Sequence, residues 1–151
     1  MVDIAQKAKT ERVAVAQAEV RMAPEAFQAI QNNSVAKGEV LSVSQIAGIC
    51  AAKKTSELIP LCHPLSLEHI SVRFKPNKKT SSILVESQVK TNARTGVEME
   101  ALVAAAVSAL TIYDMCKAID KTMIITDLFL VKKIGGKSGL FERKSAQHIG
   151  Q

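Results

Sequence analysis

The sequence predicts an α+β sandwich, one antiparallel sheet with helices laid on one of its faces. Three observations predict it. Segments with an apolar period of two alternate with segments of helical period. The longest helical segment, centred on Ala101 to Tyr113, is apolar nearly all round and must be covered on both sides. The chain has 151 residues, 47% of them apolar, which fits one hydrophobic core and a single domain over 1–151.

The first strand is expected over 12–22, where Val and Ala alternate roughly. Pro24 suits the first turn of a short helix, Pro24 to Asn32, ended by Asn32-Asn33-Ser34. A loop with Lys37-Gly38 follows. From about Ser42 to Leu58 the residues Ile46, Ile49 and Cys50 recur at helical spacing. Pro60 and Pro64 then bracket Leu61, Cys62 and His63, and a proline biases its predecessor towards extended geometry, so Ile59 to Leu65 reads as a stiff, extended connection.

Ile70, Val72 and Phe74, then Ile83, Val85 and Val89, mark two strands joined by a hairpin loop over Pro76 to Ser82. Thr95 and Glu98 have the spacing of a capping box and open the longest helix, about Val97 to Ile119. The sheet covers one side of that helix, and a second subunit is expected on the other. A last strand, Met123 to Val131, precedes Gly135-Gly136-Lys137-Ser138-Gly139. Strand, two helices, two strands, long helix, strand is the order of a ferredoxin-like sandwich with an inserted helix.

Composition narrows the function. The formal charge is +6 and the pI about 9.3, consistent with nucleic acid, an anionic membrane, a phosphorylated ligand or a plain solvated lysine face. Aromatics are 3% with no Trp, which weakens a single-strand nucleic-acid reading that depends on base stacking. Cys50, Cys62 and Cys116 are an odd number without a short-spaced pair, so neither a disulfide framework nor a zinc knuckle is expected. The start, Met1 to Lys7, lacks the apolar core of a secretory signal, and the apolar run 101–113 is shorter than the roughly 17–25 residues that cross a bilayer. A cytoplasmic protein without a membrane partner is expected.

Several residues invite chemistry, each with a plainer alternative. Asp114 and Lys117, three apart, share a helix face: a surface ion pair, or a pair at the edge of a dry interface where the amine's pKa falls and the carboxylate fixes its position. His63 is either structural or a site group on a stiffened backbone. Cys62 beside it has no ligand partners at usable spacing, so zinc is not expected. Glu98 is explained by capping, whereas Glu100 either favours the positive helix start or accepts hydrogen bonds from a purine or pterin edge. The glycine-rich turn fails the P-loop pattern because Val131 stands where glycine is required. With Lys132, Lys133 and Lys137 nearby it reads either as an anion site or as a solvated turn.

Taken together the motifs are specific. Asp3, Lys7 and Thr10-Glu11-Arg12, Lys37-Gly38, Ala47-Gly48-Ile49, Ala51-Ala52-Lys53, Leu58 through Leu65, Thr95 through Leu102, Leu110 through Ala118 and Gly135 through Gly139 resemble the cyclic pyranopterin monophosphate synthases, or molybdenum cofactor biosynthesis protein C family, in order over about 1–141. The family carries a short segment before the Met-Val-Asp start, and the tail after Phe141 departs from its pattern.

The resemblance implies a lyase that converts 3′,8-cyclo-7,8-dihydroguanosine 5′-triphosphate to cyclic pyranopterin monophosphate and pyrophosphate, an early step towards molybdopterin. It implies a ferredoxin-like subunit in a homohexamer, a trimer of dimers with sites at subunit interfaces. On matching positions Asp114, Lys117 and Lys37 are catalytic, with Lys37 on a mobile loop. Leu61, Cys62, His63, Glu98, Met99 and Glu100 line the substrate site, His63 near the phosphates, and Arg12 and Lys133 hold phosphates. No cofactor or metal is implied, beyond Mg²⁺ that accompanies the triphosphate. The competing readings are a basic nucleic-acid-binding module and a non-catalytic oligomeric scaffold; assaying pyrophosphate release from the cyclised triphosphate separates all three.

Overall fold

Alternation along the first segment produces the strand it predicts. β1 (Thr10–Arg21) turns Ala14, Ala16, Ala18 and Val20 inward, all fully buried, and Val15, Gln17 and Glu19 to the opposite face. Three inward alanines in a row leave room for a helix to lie close against the sheet. The computed structural model describes residues 1–144, so the part of the domain assignment over 145–151 lies outside the described residues.

α1 (Pro24–Gln31) begins with its proline in the first turn and ends at Asn32, as expected. α2 (Val40–Lys53) starts two residues before the expected Ser42, because the Glu39 carboxylate caps it, accepting from the N–H groups of Leu41 (3.1 Å) and Ser42 (2.6 Å). The expected run to Leu58 breaks at Lys54. A single turn, α3 (Thr55–Leu58), follows, and Thr55 Oγ1 donates back to the Ala52 carbonyl at 3.0 Å. The proline-bracketed connection is not extended throughout: Cys62 N–H donates to the Ile59 carbonyl at 3.1 Å, closing a turn before the chain straightens.

β2 (His69–Asn77) and β3 (Ser82–Ala93) form the expected hairpin, but Asn77 pairs with Ser82, leaving only residues 78–81 in the loop. Pro76 lies within β2 rather than in the turn; β2 is an edge strand, where a missing N–H is tolerated. β4 (Ile124–Ile134) runs three residues past Val131 and pairs with β1 through two register shifts, one of them where Asp127 adopts φ +53°. A two-residue strand, β5 (Phe141–Glu142), adds to its far side. All pairings are antiparallel in the order β2-β3-β1-β4-β5, and the first four strands have the ferredoxin-like arrangement.

The long helix α4 (Glu98–Cys116) crosses this sheet. Ala101, Ala104, Ala105, Ala109 and Ile112 are fully buried against it, and Ser87 Oγ on β3 donates to the Ala101 carbonyl at 2.6 Å. The second cover expected from another subunit is supplied in large part by α2. Gly48 allows that contact: a Cβ there would collide with Ser108 Oγ and stand 2.8 Å from the Ala104 carbonyl oxygen. Ser108 Oγ donates across the seam to the Ser44 carbonyl at 3.0 Å. The 19 residues of α4 are long and apolar enough to cross a membrane by composition, yet half of that window is buried, as befits a core helix.

The capping box does not form. Val97 occupies the cap position without a side-chain acceptor, and the Glu98 carboxylate folds back over Gly96, where a Cβ would strike it. The first turn of α4 therefore has its acids directed at the surface beside it, and that surface is concave.

Candidate active site

Two cavities meet at the start of α4. One, about 310 Å³, is lined by Glu98, Met99 and Glu100 of α4, by Leu61, Cys62 and His63 of the turn after α3, and by Val2, Ile4 and Leu65. The other, about 540 Å³, is lined by Lys7, Arg12, Arg94, Lys137 and Ser138 together with Asp3 and Gln6. Lys7, Thr95 and Gly96 belong to both, so the two are one continuous groove with a mixed apolar and acidic half and a basic half.

Glu100 is 4% exposed, and burial, reinforced by neighbouring Glu98, pushes its carboxyl pKa up, against the opposing pull of a backbone N–H. Burial beside Glu100 likewise raises the Cys62 thiol. Neither group is set up as an anionic nucleophile; Glu100 holds its proton to higher pH and can donate as well as accept. Among the described residues no three His, Cys, Asp or Glu side chains gather as a metal site.

The basic half is assembled from four segments. Arg12, near the start of β1, donates from Nε to the Ala93 carbonyl at 3.3 Å and from Nη2 to the Arg94 carbonyl at 3.4 Å. Lys137 and Ser138 arrive from the glycine turn after β4, Lys7 from the N-terminal segment and Arg94 from the end of β3. Lys137 and Ser138 belong to the glycine-rich turn for which sequence offers an anion site as one reading. Lys7 and Arg94 are not among the site residues expected from sequence; Lys7 lies inside a family motif, and Arg94 carries no signal. Lys133, expected at the phosphates, is not among the lining residues. Its Nζ contacts Ser138 Oγ and the Gly135 carbonyl, within the glycine turn. His63 lines the acidic half, not the basic one where a phosphate would be drawn.

The remaining expected residues gather elsewhere. At the far end of α4, Lys117 Nζ lies 2.6 Å from Asp114 Oδ1 and Lys37 Nζ 2.7 Å from Asp114 Oδ2, with Lys37 also donating to the Asp114 carbonyl at 3.0 Å. Spacing predicts the first contact; the second joins residues far apart in sequence. Lys37 sits in a Val35–Gly38 turn, where Gly38 at φ +104° takes the left-handed conformation, directly before the Glu39 cap of α2.

All three side chains are about half exposed. The hydrogen bonds from Lys117 and Lys37 hold Asp114 at about 2, and Asp114 in turn raises Lys117. The lowered lysine pKa expected from a dry interface is therefore not found in the single chain: with water on one side and a carboxylate on the other, the ammonium is favoured. This cluster can hold an anion and donate a proton.

Along the axis of α4, Glu100 and Asp114 are separated by about 21 Å at 1.5 Å per residue. The structure thus unites Leu61, Cys62, His63, Glu98, Met99, Glu100 and Arg12 along one groove, unites Lys37, Asp114 and Lys117 in one cluster, and keeps the two apart within a chain.

A family model described as the MoaC family matches residues 1–136, which spans every residue of the groove except Lys137 and Ser138. The chain is 54% identical over 147 residues to a cyclic pyranopterin monophosphate synthase of Pelotomaculum thermopropionicum, covering 97% of this chain and 86% of that one. It is 53% identical over 144 residues to one of Heliobacterium modesticaldum, at 95% and 91% coverage, and 49% identical over 150 residues to one of Bacillus subtilis, at 98% and 88%. With nearly its whole length shared with these proteins and most of its groove inside the region the family model matches, the chain belongs to the MoaC family.

Proposed function

We propose that the protein is a cyclic pyranopterin monophosphate synthase: a lyase of molybdenum cofactor biosynthesis that converts 3′,8-cyclo-7,8-dihydroguanosine 5′-triphosphate to cyclic pyranopterin monophosphate and pyrophosphate. The observation that carries the reading is the groove's division of charge. Its acidic, partly apolar half suits a guanine-derived ring, with Glu100, whose pKa burial raises, hydrogen-bonding to the ring edge and Met99 and Leu61 forming an apolar wall. Its basic half suits a polyphosphate, with Arg12 forking onto phosphate oxygens and Lys7, Arg94 and Lys137 adding charge. His63 contacts the substrate from the half of the groove that receives the ring. Lys133 supports the phosphate site through Ser138 rather than by direct contact.

The reaction requires a ribose hydroxyl to attack the α-phosphorus, forming a P–O bond and expelling pyrophosphate, and it requires protons to move at the ring. In this reading Lys37 and Lys117 carry those protons, Asp114 orients both, and cations of the basic half stabilise the departing pyrophosphate. Because the cluster and the groove lie at opposite ends of α4, the complete site takes the groove of one subunit and the cluster of another. Val43 and Ile46 on α2 and Leu110 on α4, all exposed, supply apolar surface for self-association. A homohexamer, a trimer of dimers, in the cytoplasm is the assembly we propose. No resident metal enters the reading; Mg²⁺ would arrive bound to the triphosphate.

A nucleic-acid-binding role finds no support in a groove that carries Glu98 and Glu100 beside its cations. Incubation with the cyclised triphosphate should release pyrophosphate, and Lys117→Ala should reduce that release by about a hundredfold or more. Turnover by Lys117→Ala within a few-fold of wild type would remove the assignment.

A further inference from the structure

We infer that the Gly135-Gly136 turn is a positioning device for Arg12, holding its guanidinium at the basic half of the groove and tying that half to the Arg94–Gly96 segment, whose Thr95 and Gly96 also line the acidic half. The inference rests on the reading that this half receives the substrate's polyphosphate. Its basis is steric. Gly136, at φ +74°, lies close against the guanidinium: a Cβ there would overlap Arg12 Nη1 and stand 2.9 Å from Cζ. Gly135, at φ +102°, passes just as close to the carbonyl of Glu11, with a Cβ 3.1 Å from Arg12 Cδ. Glycine at both positions is what allows the turn to close over β1.

On its other side the guanidinium is held by the Ala93 and Arg94 carbonyls, which take one N–H from Nε and one from Nη2. An arginine has five N–H donors, so three remain for a ligand. Arg12 is thus packed between a bare backbone turn and two carbonyls. That fixes the plane of its fork, as bidentate recognition of phosphate requires. The same two bonds anchor residues 93–94, one step before Thr95 and Gly96, which line both halves. The turn also delivers Lys137 and Ser138 to the cavity directly after Gly136.

Gly139 supplies the control. It has φ +61° in the same turn region, yet a Cβ on it meets nothing within 4 Å, so Gly139→Ala adds left-handed strain without the collision. The test compares full-length assembled wild type, Gly136→Ala, Gly136→Asn, Gly139→Ala, Arg12→Ala and the Gly136→Ala/Arg12→Ala double variant. Calorimetry reads inorganic pyrophosphate binding, and turnover of the cyclised triphosphate reads KM and kcat. Asparagine tolerates positive φ best among side chains and repeats the collision should the alanine variant fold poorly.

Both Gly136 variants should weaken pyrophosphate about tenfold or more, the worth of a charge-assisted contact, and raise KM by the same factor with a smaller change in kcat. Gly139→Ala should stay within about twofold of wild type, and the double variant should bind no more weakly than Arg12→Ala alone. Additive losses in the double variant, an equal loss in Gly139→Ala, or wild-type binding by the Gly136 variants would overturn the inference while leaving the proposed function standing. A wild-type protein that binds no pyrophosphate and turns over no substrate would remove both.

Discussion

If the site is shared between subunits, two dead variants should make one live enzyme. One variant breaks the groove, Arg12→Ala with Glu100→Ala; the other breaks the cluster, Asp114→Ala with Lys117→Ala. Glu100 and Asp114 lie about 21 Å apart along α4, further than any side chain reaches, so in one chain neither half can serve the other. A site that takes its groove from one subunit and its cluster from the next is intact only when the first comes from the cluster variant and the second from the groove variant. After the two are unfolded together at equal concentration and refolded, random assembly makes that arrangement in roughly one site in four. Pyrophosphate release should therefore recover to about a quarter of the wild-type rate per site, while each variant refolded alone stays at least a hundredfold down. Recovery should follow the product of the two mole fractions as the mixing ratio is varied, peaking at equal amounts. A mixture no more active than its parts, with hybrid assemblies demonstrated by native mass spectrometry, would refute the shared site.

Three further outcomes follow from individual side chains. Burial raises Glu100 above the ordinary glutamate value of 4.5, so its ionisation destabilises the fold as pH rises through that raised value. Glu100→Gln should then increase stability near neutral pH by about 1 kcal/mol in urea unfolding, with the gain vanishing below pH 4.5, while substrate turnover falls. Asp120 accepts from Ala23 N–H at 2.8 Å and from both the N–H and the Oγ1 of Thr122 at 2.7 Å, and those bonds lower its pKa. Its contribution is present above the ordinary aspartate value of 3.8 and lost as pH falls through the depressed one, so Asp120→Ala should lower Tm at neutral pH and leave it unchanged in strong acid. Ser44 Oγ is buried without a hydrogen-bond partner among the described residues, so Ser44→Ala should raise stability by up to about 1 kcal/mol, read as a higher denaturation midpoint.

What the sequence revealed, and what it hid, divides by range. Period-two alternation in β1 and the helical period of α4 are local consequences of which side chains face the core, and both elements stand where pattern places them. The Asp114–Lys117 contact was legible for the same reason. Boundaries that depend on one carboxylate's choice were not: Glu39 caps α2 early, and Glu98 abandons the Thr95 box to lie over Gly96. The second cover of α4 was assigned to another chain because nothing in a helix's own pattern says which neighbour buries it. The pairing of Lys37 with Asp114 and the gathering of Lys7, Arg12, Arg94 and Lys137 are tertiary facts. Lys137 is within reach from the glycine-rich basic turn alone, the others only through family resemblance, and Arg94 not even then.

The opposite protonation tendencies at the two ends of α4 constrain how the chemistry is divided. Asp114, held at about 2, remains an anion throughout the working range and keeps Lys117 an ammonium. In the open chain that ion pair disfavours Lys117 as a base. Closing a second subunit over the cluster would remove its water and lower the amine's pKa, while the carboxylate 2.6 Å away opposes that change. The pair thus favours proton donation to the substrate over proton abstraction from it. Glu100 tends the other way: burial raises its pKa and so favours the protonated form. A ring bound against Glu100 and beneath Lys117 would meet an ammonium on one side and, on the other, a carboxyl that burial biases towards holding its proton. That arrangement suits a rearrangement in which negative charge builds on ring oxygens and nitrogens as bonds break.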